Sequence, residues 1–586
     1  MKCCKFLIPL CICLSVAGIS LAQIPTFEDV ALSAGVAEDD LGLGAAMIDV
    51  NNDGFDDIHL INDSQPGNRD FLYLNQGDLT FLDITYSAHA WMPPFSNTVR
   101  IFDVDNDGWQ DMFVSTYSSS EGHRIYRNNG DNTFTDWFPQ SGLRNHALST
   151  VDLVDIDNDG WVDVYYATHD WFPFGVLWRA TGPGTYTFSR QTPEQLWYIC
   201  EAVFCDFDND GDMDLFEGNL YAYNLLYENN FPNFTQIGSS AGISGSHNDF
   251  KYPIVGDYNN DGLFDIYCIY YTEWGNSPDC LYRQDTPMQF IDTLPATGIT
   301  VMEETYCGCW ADLDNDGWLD LLTFDATLSN AHFWHNQGDG TFVDVTQQAG
   351  LTQSTTQAFA PVTGDVNADG FLDFYLVRYG PANCLYVNSG NDNHWLQVAL
   401  EGTQSNRLGI GARVKAVSGD LVQWRDPGGG RFAGSSNAPY VHLGLGDHSV
   451  VDSLYVNWPS GQVDLLLDVP ADQRITVVEG SFDVSSKELE ATDFDHDLQV
   501  AVNPNPFNPT TVLKYKLQDA SFVNFRVYDI SGHLVAELVN GWRDAGVHEV
   551  VFDPTGAGAL HLASGIYLYR LEADVFSACG KMVLVK

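Results

Sequence analysis

Seven copies of one nine-residue acidic pattern, D-x-[D/N]-x-D-G-x-x-D, recur at intervals of 51 to 55 residues and impose a repeat architecture on most of this chain. They begin at Asp49, Asp103, Asp155, Asp206, Asp257, Asp312 and Asp365. A near-constant period of this length means that each copy belongs to one supersecondary unit, which buries its apolar surface only against its neighbours. The flanks show what the unit is made of. Short apolar runs precede the loops (Val99–Phe102, Glu201–Phe204) and follow them (Ile58–Ile61, Met112–Tyr117), rich in β-branched and aromatic residues. Each loop is therefore expected to join two antiparallel strands rather than two helices.

The acids sit at alternate positions. Position 1 is Asp49, Asp103, Asp155, Asp206, Asp257, Asp312 or Asp365; position 3 is Asn51, Asp105, Asp157, Asp208, Asn259, Asp314 or Asn367. Position 5 is Asp53, Asp107, Asp159, Asp210, Asp261, Asp316 or Asp369, and position 9 is Asp57, Asp111, Asp163, Asp214, Asp265, Asp320 or Asp373. In a tight loop, positions 1, 3 and 5 turn side-chain oxygens into one concavity, and the glycine at position 6 allows the chain to double back. Ca²⁺ takes six to eight such oxygens, whereas Mg²⁺ tolerates all-protein cages poorly. Ordinary turn chemistry accounts for one or two acids per turn. Three or four at fixed alternate positions, which would otherwise repel one another, call for a cation. Up to seven structural Ca²⁺ are expected, with these residues as ligands. The pattern is not an EF-hand, because the Glu required at position 12 occurs only in the fourth copy, as Glu217.

A second element keeps step with the loops. About twenty residues after each comes an aromatic-Asn turn and then a Phe strand, as in Leu72–Asp83, Ile125–Asp136 and Phe333–Asp344. Four short strands per period of this length are the requirement of a β-propeller blade. The seventh repeat ends at Leu385–Gly390 without its Phe strand, while an orphan copy, Phe27–Gly35, echoes Phe342–Gly350. The beginning of the mature chain is thus expected to complete the last blade, leaving no free edge.

These repeats resemble FG-GAP/VCBS repeats, the blades of integrin-α-like propellers, whose D-x-D-x-D-G loops bind Ca²⁺; Asn at position 3 of copies 1, 5 and 7 would weaken those sites. The segments Asn393–Val398, Ser405–Val414, Gly444–Asp447 and Trp458–Gly461 resemble the ASPIC/UnbV domain, also found beside such repeats in cartilage acidic protein. Arg407, Arg413 and Arg425 there read as surface or interdomain contacts rather than as an anion site. The stretches Asn503–Thr511, Val527–Gly532, Gly565–Arg570 and Lys581–Lys586 resemble the C-terminal sorting domain of type IX secretion substrates, an Ig-like sandwich. That resemblance implies recognition by outer-membrane secretion machinery and a secreted or cell-surface location on the bacterial outer-membrane exterior.

The expected organisation is all-β: a signal peptide at 1–22, a seven-bladed β-propeller at 23–392, a small β-domain at 393–480, a linker at 481–496 and an Ig-like β-sandwich at 497–586. Residues Met1–Ala22 read as a cleaved signal, and no later segment is long and apolar enough to span a bilayer. Eight cysteines then remain, and pairing within a blade, Cys200 with Cys205 or Cys268 with Cys280, is open in an oxidising compartment. A formal charge of −53, reduced to −39 by seven Ca²⁺ (−53 + 14), excludes nucleic acid and anionic membranes as partners.

No G-x-S-x-G elbow, H-E-x-x-H helix or phosphate loop occurs, so no catalytic residue is assigned. Glu303-Glu304 would point to opposite faces of a strand, and His169 and His394 stand apart from one another. Aromatics between repeats (Trp91, Phe95, Trp171, Phe172, Phe174, Trp197, Tyr221, Tyr223, Tyr271, Trp274) either pack between blades or stack on sugars. The expectation is a non-enzymatic, exported calcium-binding protein engaged in adhesion or in glycan or protein binding. The alternative is a secreted polysaccharide hydrolase or lyase on the same scaffold.

Overall fold

The computed structural model describes residues 24–584 apart from 64–68, 91–94, 119–121, 169–174, 193–198, 220–222, 244–251, 271–278, 301–304, 326–329, 353–354, 432–433, 483–499, 504–509, 518–520, 530–533, 553–561, 563–564 and 574–575. The expected signal peptide, most of the linker, Glu303-Glu304, His169 and all the inter-repeat aromatics except Phe95 and Tyr223 lie outside the described residues. The chain forms two compact units, 1–484 and 485–586. Among the described residues no helix is long and apolar enough to cross a membrane.

Seven four-stranded antiparallel sheets occupy residues 27–388. The first consists of Gly42–Ile48, Asp57–Asn62, Phe71–Asn75 and Phe81–Asp83. In every sheet the first strand ends one residue before position 1 of the acidic loop, and the second strand begins at position 9. The loops thus join paired strands, as their apolar flanks indicate. The first three strands are mostly buried and the fourth is not: Asp57–Asn62 is buried throughout, whereas Phe81–Asp83 is largely exposed. Strands enclosed on both faces carry continuous apolar runs, and rim strands alternate.

The seventh sheet takes its fourth strand from the opposite end of the sequence. Phe27–Asp29 pairs with Cys384–Asn388, in the register Phe27 opposite Asn388. Phe27 packs on Phe374 and Phe333 at ring distances of 5.3 and 6.2 Å, and its burial stabilises this closure by about 2 kcal/mol. The first strand of each sheet contacts the first strand of the next, and that of the seventh contacts that of the first. Apolar clusters fill the spaces between neighbouring sheets, for example between the first and second and between the second and third.

Side-chain amides sew the sheets together. The turn Asn closing the third strand donates from Nδ2 to the carbonyl at loop position 2 of the preceding sheet: Asn128 to Val50 (2.8 Å), Asn336 to Tyr258 (2.8 Å) and Asn388 to Leu313 (2.8 Å). Asn75 of the first sheet reaches Val366 of the seventh at 2.7 Å. In the third sheet Ala180 replaces the Asn, and the Gly184 N–H bonds Val104 O instead, at 2.9 Å.

Residues 394–478 form a three-stranded sheet (Tyr440–Gly446, His394–Glu401, Gln473–Val478) and a four-stranded sheet (Leu421–Arg425, Arg413–Ser418, Val450–Asn457, Val463–Pro470) around one apolar core. The second unit, by itself, also has a three-stranded and a four-stranded sheet sharing a core that includes Leu513, Tyr515, Phe525 and Tyr569.

The cysteines depart from the within-blade pairing left open above. Cys205, Cys268, Cys280, Cys307, Cys309 and Cys384 are buried free thiols. Cys268 and Cys280 stand directly opposite across two strands. Cys200 and Cys205 lie five residues apart on one extended strand, Ile199–Cys205, too far apart to be bridged.

Candidate metal loops and their cap

All seven acidic loops share one hydrogen-bonded frame. The position-1 carboxylate accepts the N–H of the position-6 glycine, at 2.7 Å in loop 2 and 2.9 Å in loop 5. The position-5 carboxylate accepts the N–H at position 7, as Asp107 does from Trp109 at 3.0 Å. The position-6 glycines have φ between 86° and 94°, a left-handed conformation that a side chain would strain. Position 4 is left-handed as well, with φ between 55° and 63°, and is Asn everywhere except Ala368. Asn tolerates that region best among residues with side chains, and here it has a further task. Asn106, Asn158, Asn209, Asn260 and Asn315 each donate to the glycine carbonyl of the following loop, at 2.9–3.1 Å.

Position 9 has a bracing role besides the ligand role expected of it. Asp111 accepts the N–H of Val104 at 2.7 Å and of Asn128 at 2.6 Å, and Asp57 and Asp373 are bonded in the same way. These acids brace the loop against the third strand. Outside loop 6, the groups of three acids with closely converging oxygens are positions 1, 3 and 5: Asp103, Asp105, Asp107; Asp155, Asp157, Asp159; and Asp206, Asp208, Asp210, with ligand atoms within 4.8 Å of one another. Loop 6 converges similarly through Asp312, Asp314 and Asp316, and adds Asp320 with His335. In loops 1, 5 and 7 the Asn at position 3 bonds the position-5 Asp at 2.8, 2.9 and 2.8 Å. Glu217 lies in the second strand of its sheet and accepts a hydrogen bond from the Tyr165 hydroxyl.

Burial sets the electrostatics. It pushes Asp57, Asp163 and Asp214 up to about 8 against several N–H bonds that lower them, and Asp103 and Asp206 up to about 6. Carboxylate oxygens of Asp105, Asp157, Asp212, Asp265 and Asp312 are buried without a hydrogen-bond partner. Clustered, desolvated oxygens with unused lone pairs fit a hard divalent cation. Here the residues at positions 1, 3 and 5, with the position-9 carboxylate beside them, would hold it, and it would supply the positive charge that lets them ionise together.

One set of residues escaped the sequence reading. The side chain just before the third-strand turn Asn faces the loop of its own sheet. It is Arg127 in the second sheet, bound to Asp105 and to Asp107 at 2.7 Å. It is Arg179 in the third, bound to Asp157 and to Asp159 at 2.8 Å. Loops 2 and 3 therefore contain a counter-cation of their own. The corresponding residues are Leu74 and Val387 in the first and seventh sheets and Glu228 in the fourth. Arg283 in the fifth turns to Asp285 at 2.7 Å, and the sixth has His335. The fixed offset of these residues from the turn Asn was the available signal.

The domain at 394–478 covers the loops. Arg413 Nη2 donates to Gly262 O at 2.8 Å, Arg425 Nη2 to Gly317 O at 2.9 Å, and Arg407 N to Asn106 Oδ1 at 3.1 Å, so these arginines are interdomain contacts. Where loop 7 has Ala368, Arg474 Nη1 supplies the missing donor to Gly54 O at 3.2 Å. Residues 428–431 and 434–438 of the glycine-rich segment run along the edges of the first strands. Ser436 exchanges backbone bonds with Ala45 and Met47, both 3.0 Å; Gly434 O accepts from Val99 (3.1 Å), Gly430 O accepts from Trp310 (3.2 Å), and Ala438 donates to Thr363 (3.1 Å). Arg431 joins Asp152, which also faces Arg100, and Arg100 bonds Glu201 at 3.0 Å. Burial pushes Glu201 up to about 7. One segment thus engages the first strands of most of the seven sheets.

Comparison with known proteins identifies both regions. FG-GAP-like repeats match residues 49–114, 103–166, 206–268 and 279–376, which contain all seven loops, and the ASPIC and UnbV model matches 402–483. Cartilage acidic protein 1 of Mus musculus is 24% identical over 509 residues, covering 77% of this chain and 75% of that protein. The Homo sapiens protein is 27% identical over 275 residues, and the match spans 43% of this chain and 39% of that relative. Among solved structures, Saccharomyces cerevisiae Sqt1 aligns over 62% of this chain and 98% of its own, with 6% identity and a TM-score of 0.38. The chain carries FG-GAP-like repeats followed by an ASPIC and UnbV domain, and it is homologous to cartilage acidic protein 1.

Proposed function

We propose that this chain is an exported, calcium-stabilised seven-bladed β-propeller that works as a binding protein rather than an enzyme, with an extracellular glycan or protein as its ligand. The observation that carries the reading is the cap. The loops lie between the repeats and the ASPIC/UnbV domain, whose Arg413, Arg425 and Arg474 grip their backbone carbonyls. Ions held there serve the assembly of ring and cap, and ligand contact falls to other surfaces. The glycine-rich segment 428–438 plugs the ring along its first strands. The C-terminal unit, with two sheets over one core, supports the reading of an Ig-like sandwich that addresses the chain to the outer-membrane exterior.

Two measurements on the purified protein test this. Chelation should lower the melting temperature, because ions bound only by the folded state stabilise it, by about 2.7 kcal/mol per site at a hundredfold excess over Kd. A melting temperature indifferent to excess EDTA refutes the calcium reading. A glycan array and a polysaccharide depolymerisation assay, each run with calcium and with EDTA, test the rest. Calcium-dependent binding without shortened product is expected, and depolymerisation would make the protein an enzyme.

A further inference from the structure

We infer that loop 6 is a mixed nitrogen–oxygen metal site, which selects a divalent transition ion of the zinc class over calcium. His335 occupies the third-strand position from which Arg127 and Arg179 reach the acids of their own loops. Its Nδ1 lies 3.2 Å from Asp320 Oδ1 and 3.4 Å from Asp314 Oδ2. Imidazole nitrogen suits zinc-class ions and is a poor donor for hard cations such as Ca²⁺.

Two further observations set this loop apart. It is the most enclosed of the seven: Asp312, Asp314 and Asp320 are 2%, 1% and 0% exposed, and His335 is 6% exposed. The cap closes over it. A Cβ on Gly444 would lie 2.1 Å from Asp312 Oδ2, His442 bonds Asn315 at 2.7 Å, and Asn391 and Asn393 both donate to Asp314 O at 2.7 Å. Second, Asp312 Oδ1 is buried with no hydrogen-bond partner, and the group Asp312, Asp314 and Asp316 shares Asp314 with the group Asp314, Asp320 and His335, the ligand atoms within each group lying within 4.8 Å of one another. Arg425, whose charge favours the ionised form of Asp312, donates Nη2 to the Gly317 carbonyl. Four carboxylates and one imidazole in a dry pocket leave an excess of negative charge that a divalent ion would offset.

The test uses the full chain, stripped with chelator and re-equilibrated in millimolar Ca²⁺, then titrated with Co²⁺ and read by its visible d–d absorption. One equivalent of Co²⁺ that calcium does not displace is expected. His335→Gln should weaken it at least tenfold while the calcium-dependent melting transition persists. His335→Phe, which keeps a ring in the same place and removes both nitrogens, replaces the Gln variant if the latter fails to fold. No Co²⁺ bound by the unaltered chain in excess calcium overturns the inference, as does binding indifferent to whichever substitution folds. Because every arm contains calcium, either result leaves the calcium reading standing on its own melting data.

Discussion

Replacing Asn75 by Ala tests the bond between the first and seventh sheets directly. Asn75 is 2% exposed, and its Nδ2 donates to Val366 O of the seventh sheet at 2.7 Å and to Asp56 O at 3.0 Å. Its Oδ1 accepts the Gly77 N–H at 3.0 Å. The alanine variant loses all three bonds and leaves the Val366 carbonyl buried where water does not replace the donor. Each net bond contributes about 1 kcal/mol, and a stranded buried acceptor costs about 1–3 kcal/mol, so a loss of about 3 kcal/mol is expected. With an unfolding entropy of about 2.1 cal/mol/K per residue, a cooperative unit of about 460 residues shifts by about 1 °C per kcal/mol. The expected fall in melting temperature in calcium is therefore about 3 °C. Asn129→Ala serves as the control, since Asn129 is exposed and bonds only within its own turn, through Thr133 and Thr135. Urea denaturation gives the free energy independently of the thermal midpoint. Equal losses for the two variants would refute the reasoning, because the inter-sheet bond to Val366 would then contribute nothing.

Other outcomes are equally specific. In chelator, stability should fall as pH rises from 5 to 8. Burial holds Asp103 and Asp206 near 6 and Asp57, Asp163 and Asp214 near 8, all above the unfolded value, so the protonated forms favour the fold and their contribution is lost as pH passes those values. Calcium should remove the decline, and a melting temperature in EDTA that rises over this range would contradict the assignment. Arg179→Leu should tighten calcium binding at loop 3 by roughly seventeenfold, since a guanidinium about 5 Å from a divalent ion is repelled by about 1.7 kcal/mol even at the dielectric of water; calorimetry showing no change would refute the counter-cation role. Arg431→Met should destabilise the capped ring by about 2–4 kcal/mol, toward the lower end because the side chain is 23% exposed, by leaving Asp152 and Glu201 to share Arg100. Unchanged urea denaturation would show that the plug contributes no stability through this contact.

The sequence by itself determined the repeat, the loop and the strand exchange. Turn chemistry is local: Asp, Asn and Gly at fixed offsets dictate the left-handed position 6 and the convergence of positions 1, 3 and 5 whatever surrounds them. The strand Phe27–Asp29 was legible because its copy elsewhere, Phe342–Asp344, has a visible partner. Tertiary structure decided the rest. Position 9 reads as a ligand in a linear motif, and only the fold shows that Asp111 also accepts the N–H groups of Val104 and Asn128, the latter seventeen residues away. His335 and Arg179 acquire meaning only when a third strand lies beside the loop, and Arg431 only when a segment far along the chain enters the ring. Such contacts depend on distances that folding alone creates, and no local pattern encodes which distant group will meet a given charge.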